Sequence, residues 1–375
     1  MHRTHTLLIG TLLLGLLSAC QPGKERTQLP ISAPTTELPP PPSSTRIPPT
    51  QTMMPTETLP PPTPTRHIVQ SLLEQADLGT GKGPVYSQDW SPDGLLLVTT
   101  DTALIRIWDV TTRQESGILS GHVDYIWGLK WSPITAAGVI TLASASQDGT
   151  VRLWDIETGT ATATLQTGWA FCVAWSPDGQ RIAVGTYQTG IQIWDVSTQE
   201  LLHTWESTTN SPIISIGWSP DGNSIASGEL YGDIYLWDAA TGQVRQAITG
   251  YTRQRCDVNG LAWSPDGSSL ASAHQDGQVR LWDPLTGQLV RSIKAHTGWV
   301  RGLAWSPDGS LLASTGEDKR IFLWDPVTGL AYAEQHHNRL PVWSVSWSPD
   351  GTRVASGAGG YQQPHTGATI MWGLP

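Results

Sequence analysis

The tripeptide Trp-Ser-Pro occurs seven times in this 375-residue chain, starting at Trp90, Trp131, Trp175, Trp218, Trp263, Trp305 and Trp347. The spacings run from 41 to 45 residues, so most of the chain is an array of like units and not a pair of unrelated domains. Six copies continue as Asp-Gly, whereas the second reads Trp131-Ser132-Pro133-Ile134-Thr135 ahead of a longer loop. A second ladder follows 18 to 25 residues behind the first, at Trp108, Trp154, Trp194, Trp237, Trp282, Trp324 and Trp372. Asp follows the first six of these and Gly373 the last. Together the ladders hold 14 of the 19 tryptophans, in a chain with only two phenylalanines.

Each unit reads as four short strands. Alternation such as Val300-Arg301-Gly302-Leu303-Ala304-Trp305 has the period of two that a strand requires. Ser-Pro-Asp-Gly then supplies a reverse turn, because Pro presets φ, Asp bonds its own backbone and Gly tolerates positive φ. A Leu-Ala-Ser segment opens the second strand, a turn such as Gln275-Asp276-Gly277 leads into Gln278-Val279-Arg280-Leu281-Trp282, and Thr286-Gly287 turns into a fourth. Four antiparallel strands per unit, repeated radially, make an all-β propeller. The 38 glycines and 28 prolines likewise disfavour a helical body. Only 14% of residues are charged, well under the usual ~25%, which argues against a charged coiled coil.

These ladders resemble the WD-repeat family, named for the Trp-Asp pair that ends the third strand. The resemblance covers residues 67–375 and implies seven blades. It also implies a structural relay in which a Gly-His pair, an Asp in the turn between the second and third strands, a Ser or Thr on the second strand and the third-strand Trp share hydrogen bonds. Blade two carries His122, Asp148 and Trp154, and blade six carries His296, Asp318 and Trp324. Blade five keeps Asp276 and Trp282 but has Tyr251 near the histidine position. Blades one, three, four and seven lack the full set. The resemblance makes these groups structural, not catalytic.

The ends of the array predict how the ring closes. The chain stops three residues past Trp372, leaving blade seven without a fourth strand, while a spare segment, Arg66 to Leu73, precedes blade one. Pairing that segment into blade seven removes an exposed edge.

Residues 1–19 have a basic start at His2 and Arg3 and an apolar run from Leu7 to Leu17, too short to cross a ~30 Å hydrocarbon core but suited to a signal peptide. Leu17-Ser18-Ala19-Cys20 resembles the lipobox of bacterial lipoproteins. It implies lipidation of Cys20 and an extracytoplasmic protein held to a membrane, at the cell surface or on the periplasmic side. Residues 20–66 then read as a tether: 14 of the 28 prolines and ten threonines fall within 21–66, a composition that favours polyproline II over a packed core. Beyond the tether, 17 basic and 29 acidic residues leave a net charge of −12 in 67–375. Nucleic-acid binding needs the opposite sign. Of the other two cysteines, Cys172 and Cys256, nothing in the sequence indicates a pairing.

Function must then lie on the surface. The residue six before each first-ladder Trp is Pro84, Tyr125, Trp169, Pro212, Asp257, Trp299 or Pro341, and two places later come Tyr86, Trp127, Phe171, Ile214, Asn259, Arg301 and Trp343. By resemblance the first set rims the top mouth of the central channel. Tyr125, Trp169 and Trp299 are binding candidates there, since aromatics dominate interface hot spots; packing between blades is the alternative for both sets. Trp205 is read as an outer-strand residue packed between blades. Two irregular loops add candidates on the same face: Arg253 and Arg255 before blade five, and Tyr361 within a long second-to-third-strand loop of blade seven, Gly357 to Gly367. His336, His337 and His365 read as solvated residues more readily than as a metal site. No nucleophile elbow, phosphate loop, zinc signature or cofactor motif is present. The expectation is a membrane-anchored scaffold that binds protein or peptide partners, with no cofactor and no enzymatic activity. The alternatives are a propeller hydrolase or lyase acting on a surface polymer, or a structural element of an envelope complex that binds no free ligand.

Overall fold

A computed structural model describes residues 70–78, 83–133, 141–249, 257–337, 340–360 and 363–374. Regular structure among them is entirely β, arranged as seven antiparallel blades numbered here from the first Trp-Ser-Pro unit. In blades one to five the four strands lie side by side in chain order. Blade three is representative: Ala170–Trp175 is the inner strand, Arg181–Thr186 and Ile191–Asp195 follow, and Leu201–Trp205 is the outer strand. Blade six adds a parallel fifth strand, Gln70–Ser71, to the edge of Ala331–His336.

Ring closure uses the N-terminal segment, displaced from its expected register. Leu73–Asp77 pairs antiparallel with Gln363–Gly373 and completes blade seven, whereas Gln70–Ser71 belongs to blade six. One short stretch thus staples two neighbouring blades. Between its two strands, Leu72 is buried in a cluster with Ala333 of blade six and Trp372 of blade seven, and that burial fixes where the chain crosses. The expected Gly357–Gly367 loop is instead an extended hairpin, with Gly357, Ala358 and Gly359 paired to Thr369, Ala368 and Gly367. Its glycines are required by crowding. A Cβ at Gly359 would lie 2.3 Å from Pro84 Cβ, and one at Gly367 would lie 2.0 Å from the Gly83 carbonyl oxygen.

The first tryptophan ladder couples each blade to the one before it. The indole Nε1 of Trp131 donates to Asp89 O at 3.1 Å, Trp175 to Lys130 O at 2.9 Å and Trp305 to Ala262 O at 3.0 Å. Trp263, Trp347 and Trp90 do the same toward Gly217, Ala304 and Ser346. Trp218 is the exception and donates to Gly222 O in its own turn at 3.0 Å. The second ladder is tied within its own blade, as where Trp237 Nε1 donates to Ser227 Oγ at 2.8 Å. The core accordingly lies between blades; Trp131 and Leu129 pack against Val98 and Ile105 of blade one. Truncating such a buried Trp costs about 3–5 kcal/mol.

The turns behave as their chemistry dictates. In blade six the Ser306 hydroxyl donates to Asp308 at 2.6 Å while accepting from Leu311 N at 2.9 Å, and Gly309 sits at φ +73°. A Cβ on Gly309 would touch Pro265 of the preceding turn at 3.5 Å, so the Ser-Pro-Asp-Gly turns also stack around the ring.

Candidate functional site

The relay residues come first, because they decide which polar groups are already spoken for. In blade two, His122 Nδ1 lies 2.7 Å from Asp148, and its Nε2 lies 2.7 Å from Ser144 Oγ, which also accepts from Trp154 Nε1 at 2.8 Å. Blade six repeats this with His296, Asp318, Ser314 and Trp324 at 2.8 to 2.9 Å. The Asp148 and Asp318 carboxyls are held below the usual range by their histidines, against the opposing effect of burial.

Blade five departs from the expected assignment. Asp276 pairs with the Arg280 guanidinium at 2.6 Å and takes no part in a histidine relay. Trp282 still donates to Ser272 Oγ at 2.7 Å, and the histidine partner is His274, two residues along the same strand, at 2.7 Å from that hydroxyl. Residues two apart on a strand point to one face, which is how a second-strand histidine replaces one from the preceding loop. Burial pushes His274 down to about 3.

His337 also differs from its sequence reading. It is buried, lies edge-on to Trp372 at 6.3 Å, and is lowered to about 4 by burial, whereas its neighbour His336 is exposed. Among the described residues no group of three or more His, Cys, Asp or Glu side chains is placed to hold a metal ion. Cys172 is a free thiol that burial pushes up, away from the reactive thiolate. Cys20, Arg253, Arg255, Cys256 and Tyr361 lie outside the described residues.

Tyr125, Trp169 and Trp299 occupy equivalent backbone positions. Each offers its carbonyl to the first residue after the second strand: Tyr125 to Gln147 N and Trp169 to Tyr187 N at 2.9 Å, and Trp299 to Glu317 N at 3.0 Å. All three side chains are half-buried. They do not touch one another in a single cage. What connects them is largely the set two places further along the inner strand. Trp127 lies 4.5 Å from Tyr86 and 6.1 Å from Phe171, and Tyr86 lies 5.2 Å from Trp343. Tyr187 joins Phe171 at 6.3 Å to Trp169 at 5.3 Å, and Tyr125 sits beside Tyr86 and Trp127 at about 6 Å. At the other end the Arg301 guanidinium stacks between Trp299 at 4.3 Å and Trp343 at 4.2 Å and is held by Glu317 at 2.5 Å. The result is a continuous arc of rings across blades six, seven, one, two and three. Ring contacts between inner strands of successive blades place the arc around the channel.

Blades four and five close the circle with different chemistry: Pro212, Ile214, Leu230, Asp257, Asn259 and Gln275 stand in the equivalent positions. Asp257 is buried and raised to about 7 by that burial, against the opposing charge of Arg301. Glu229 is fully buried beneath this sector, raised by burial, and receives the Ser207 hydroxyl at 2.7 Å and that of Thr209. The mouth is therefore two-sided, aromatic along five blades and acidic to neutral along two. Tyr86, Trp127, Phe171, Arg301 and Trp343 belong to the second set, which the sequence did not single out for binding, and Tyr187 belongs to neither set. Trp205, outside the mouth, stacks on Trp237 at 5.9 Å across the junction of blades three and four.

Comparisons with known proteins agree with the repeat. The model of the WD domain, G-beta repeat family matches residues 75–109, 113–155, 199–238, 242–283, 287–325 and 331–361. That of the Anaphase-promoting complex subunit 4 WD40 domain matches residues 169–214. The chain is similar to Periodic tryptophan protein 2 of Arabidopsis thaliana, 38% identical over 120 residues, and to Coronin-7 of Rattus norvegicus, 34% over 116. It is also similar to Protein transport protein SEC13 of Phaeosphaeria nodorum, 33% identical over 109 residues. These matches span 32%, 28% and 27% of this chain and only 13%, 12% and 35% of those proteins.

Proposed function

Because the chain belongs to the WD-repeat family, we propose that it is a membrane-anchored, extracytoplasmic scaffold that captures a protein or peptide partner at the channel mouth. The observation that carries this reading is the unbroken aromatic arc from Trp299 to Trp169. Half-buried rings fixed by one another lose little conformational freedom on binding and offer large apolar faces, which is what interface anchors require. The anchor in this reading is the lipid on Cys20, and the Pro/Thr-rich segment 21–66 is the tether that joins it to the propeller.

The test is crosslinking and affinity capture from native membranes with the parent chain and with Trp169→Ala/Trp299→Ala. The double variant is expected to keep its melting temperature within a few degrees and to lose the captured partners; partners retained in full would remove the mouth as the site. The competing reading, a hydrolase or lyase acting on a surface polymer, is favoured by Asp257, whose raised value suits a general acid or base. Turnover of envelope polymers by the purified chain, abolished in Asp257→Asn, would select it.

A further inference from the structure

The outer rim is as uneven as the mouth. In the turn between the third and outer strands, the second residue after the Asp is Thr111, Glu157, Ser197 and Ala240 in blades one to four, but Leu285 and Val327 in blades five and six. Leu285 is 91% exposed and Val327 79%. Beside them the outer strands present Leu289, Val290 and Tyr332, and Leu330 leads into the last of them, all exposed. Blades one and two carry Gln114, Glu115, Thr160 and Thr162 on the matching stretch, likewise exposed; blades three and four expose Leu201, Leu202 and Val244 there but have Ser197 and Ala240 in the turn, so only blades five and six are apolar in both turn and strand. Arg291 welds the two apolar blades together, its guanidinium donating to Thr328 O at 3.0 Å and Val327 O at 2.5 Å. An apolar patch held rigid in this way marks an interaction surface.

Its position in the chain identifies the occupant. Gln70–Ser71 pairs in parallel with Ala333 and Glu334, immediately beyond Tyr332. A parallel strand points its N-terminal end toward the start of its partner, here toward Leu330 and the Val327 turn. The 69 residues that precede Gln70, including Cys20, are thus joined to the propeller at the edge of the patch. We infer that the rim of blades five and six is a membrane-contact surface, inserting Leu285, Leu289, Val290, Val327 and Leu330 among lipid headgroups with Tyr332 at the polar boundary. Aliphatic side chains with a flanking Tyr and Arg suit that layer. The inference rests on the anchored reading of Cys20 for its orientation, and it adds a second contact that lays the propeller on its side.

The experiment is flotation of the mature chain, residues 20–375 with Cys20→Ser, on vesicles of phosphatidylethanolamine and phosphatidylglycerol at a ratio of about 3:1. The unlipidated chain is expected to float, and Leu285→Asp/Val327→Asp to lower its partition coefficient by about tenfold or more. Thr111→Asp on the polar rim should leave flotation unchanged. Absence of flotation, or flotation equal in the Asp pair, overturns the inference. So does a dimer, measured by sedimentation, that the Asp pair converts to monomer, because the patch then belongs to a second copy. Mass analysis of Cys20 in native membranes tests the anchor separately: an unacylated Cys20 with flotation retained removes the anchor and leaves the rim.

Discussion

In blade two a histidine, an aspartate, a serine and a tryptophan satisfy one another within 2.7 to 2.8 Å, and blade six repeats the arrangement. At the seam between blades seven and one the polar groups are less well served. Gln88 occupies the inner-strand position held by Leu129 in blade two and Val345 in blade seven. It is 5% exposed, and both its amide atoms are without a partner, as is the nearby Ser346 hydroxyl. The inner strand of blade one is also the shortest, Gln88–Trp90, where the others have six residues. The two regions show that the ring is not uniformly strong. Blades two and six carry a full polar relay of their own, while closure of the ring depends on the segment clasped across blades six and seven.

Removing that clasp is the most severe way to break the contrast. Deletion of residues 67–78 should lower the melting temperature on the order of 10 °C or more, or prevent folding; calorimetry showing an unchanged transition would mean that closure does not need the clasp. Less severe is loss of a relay. His122→Ala or His296→Ala leaves a buried carboxylate and hydroxyl under-satisfied and should cost about 2–3 kcal/mol by urea unfolding, whereas the same change at exposed His203 should cost almost nothing.

Titration sharpens the comparison further. His274 and His337, at about 3 and 4 when folded, are buried neutral. An unfolded histidine binds its proton near 6.5, so their contribution is complete above that pH and is lost as pH falls toward 4 and 3. Asp257 has the opposite sign. Its folded value of about 7 means that stability declines as pH rises from about 4 to 7. Thermal melts of Asp257→Asn should therefore show a gain at pH 8 and none at pH 3.5. An equal gain at both would assign the effect to something other than the buried charge.

The smallest effect is a gain at the seam. Gln88→Leu removes two buried orphan atoms and restores the residue type of the neighbouring blade, for about 1 kcal/mol in denaturant unfolding. Destabilisation by this change would show that Gln88 has a partner worth keeping.

The architecture was legible in the sequence wherever one chemical requirement recurs: Trp at two fixed positions, Ser-Pro-Asp-Gly between strands, and a missing strand at one end matched by a spare at the other. Register was less legible. The closing strand begins at Leu73, because burial of Leu72 sets the crossing between blades, and no local pattern announces a fifth strand of two residues. His274 was hidden for a different reason: the repeat pattern places its histidine before the inner strand, whereas Ser272 here meets one from its own strand. Periodicity placed Tyr125, Trp169 and Trp299 in equivalent positions. It gave no information about lateral neighbours, and so the contacts that join them through Tyr86, Trp127, Phe171, Tyr187 and Trp343 emerged only from the folded ring. The solvated reading of His337 failed because its burial depends on the neighbouring blade.

The clasp has a consequence in time as well as in space. Leu73–Asp77 is synthesised ahead of blades one to six, yet its partner, Gln363–Gly373, follows all of them. Blades one to six can form in order as the chain lengthens, but the circle cannot shut until its final strand is available. Synthesis of Gln363–Gly373 is therefore the step that permits closure.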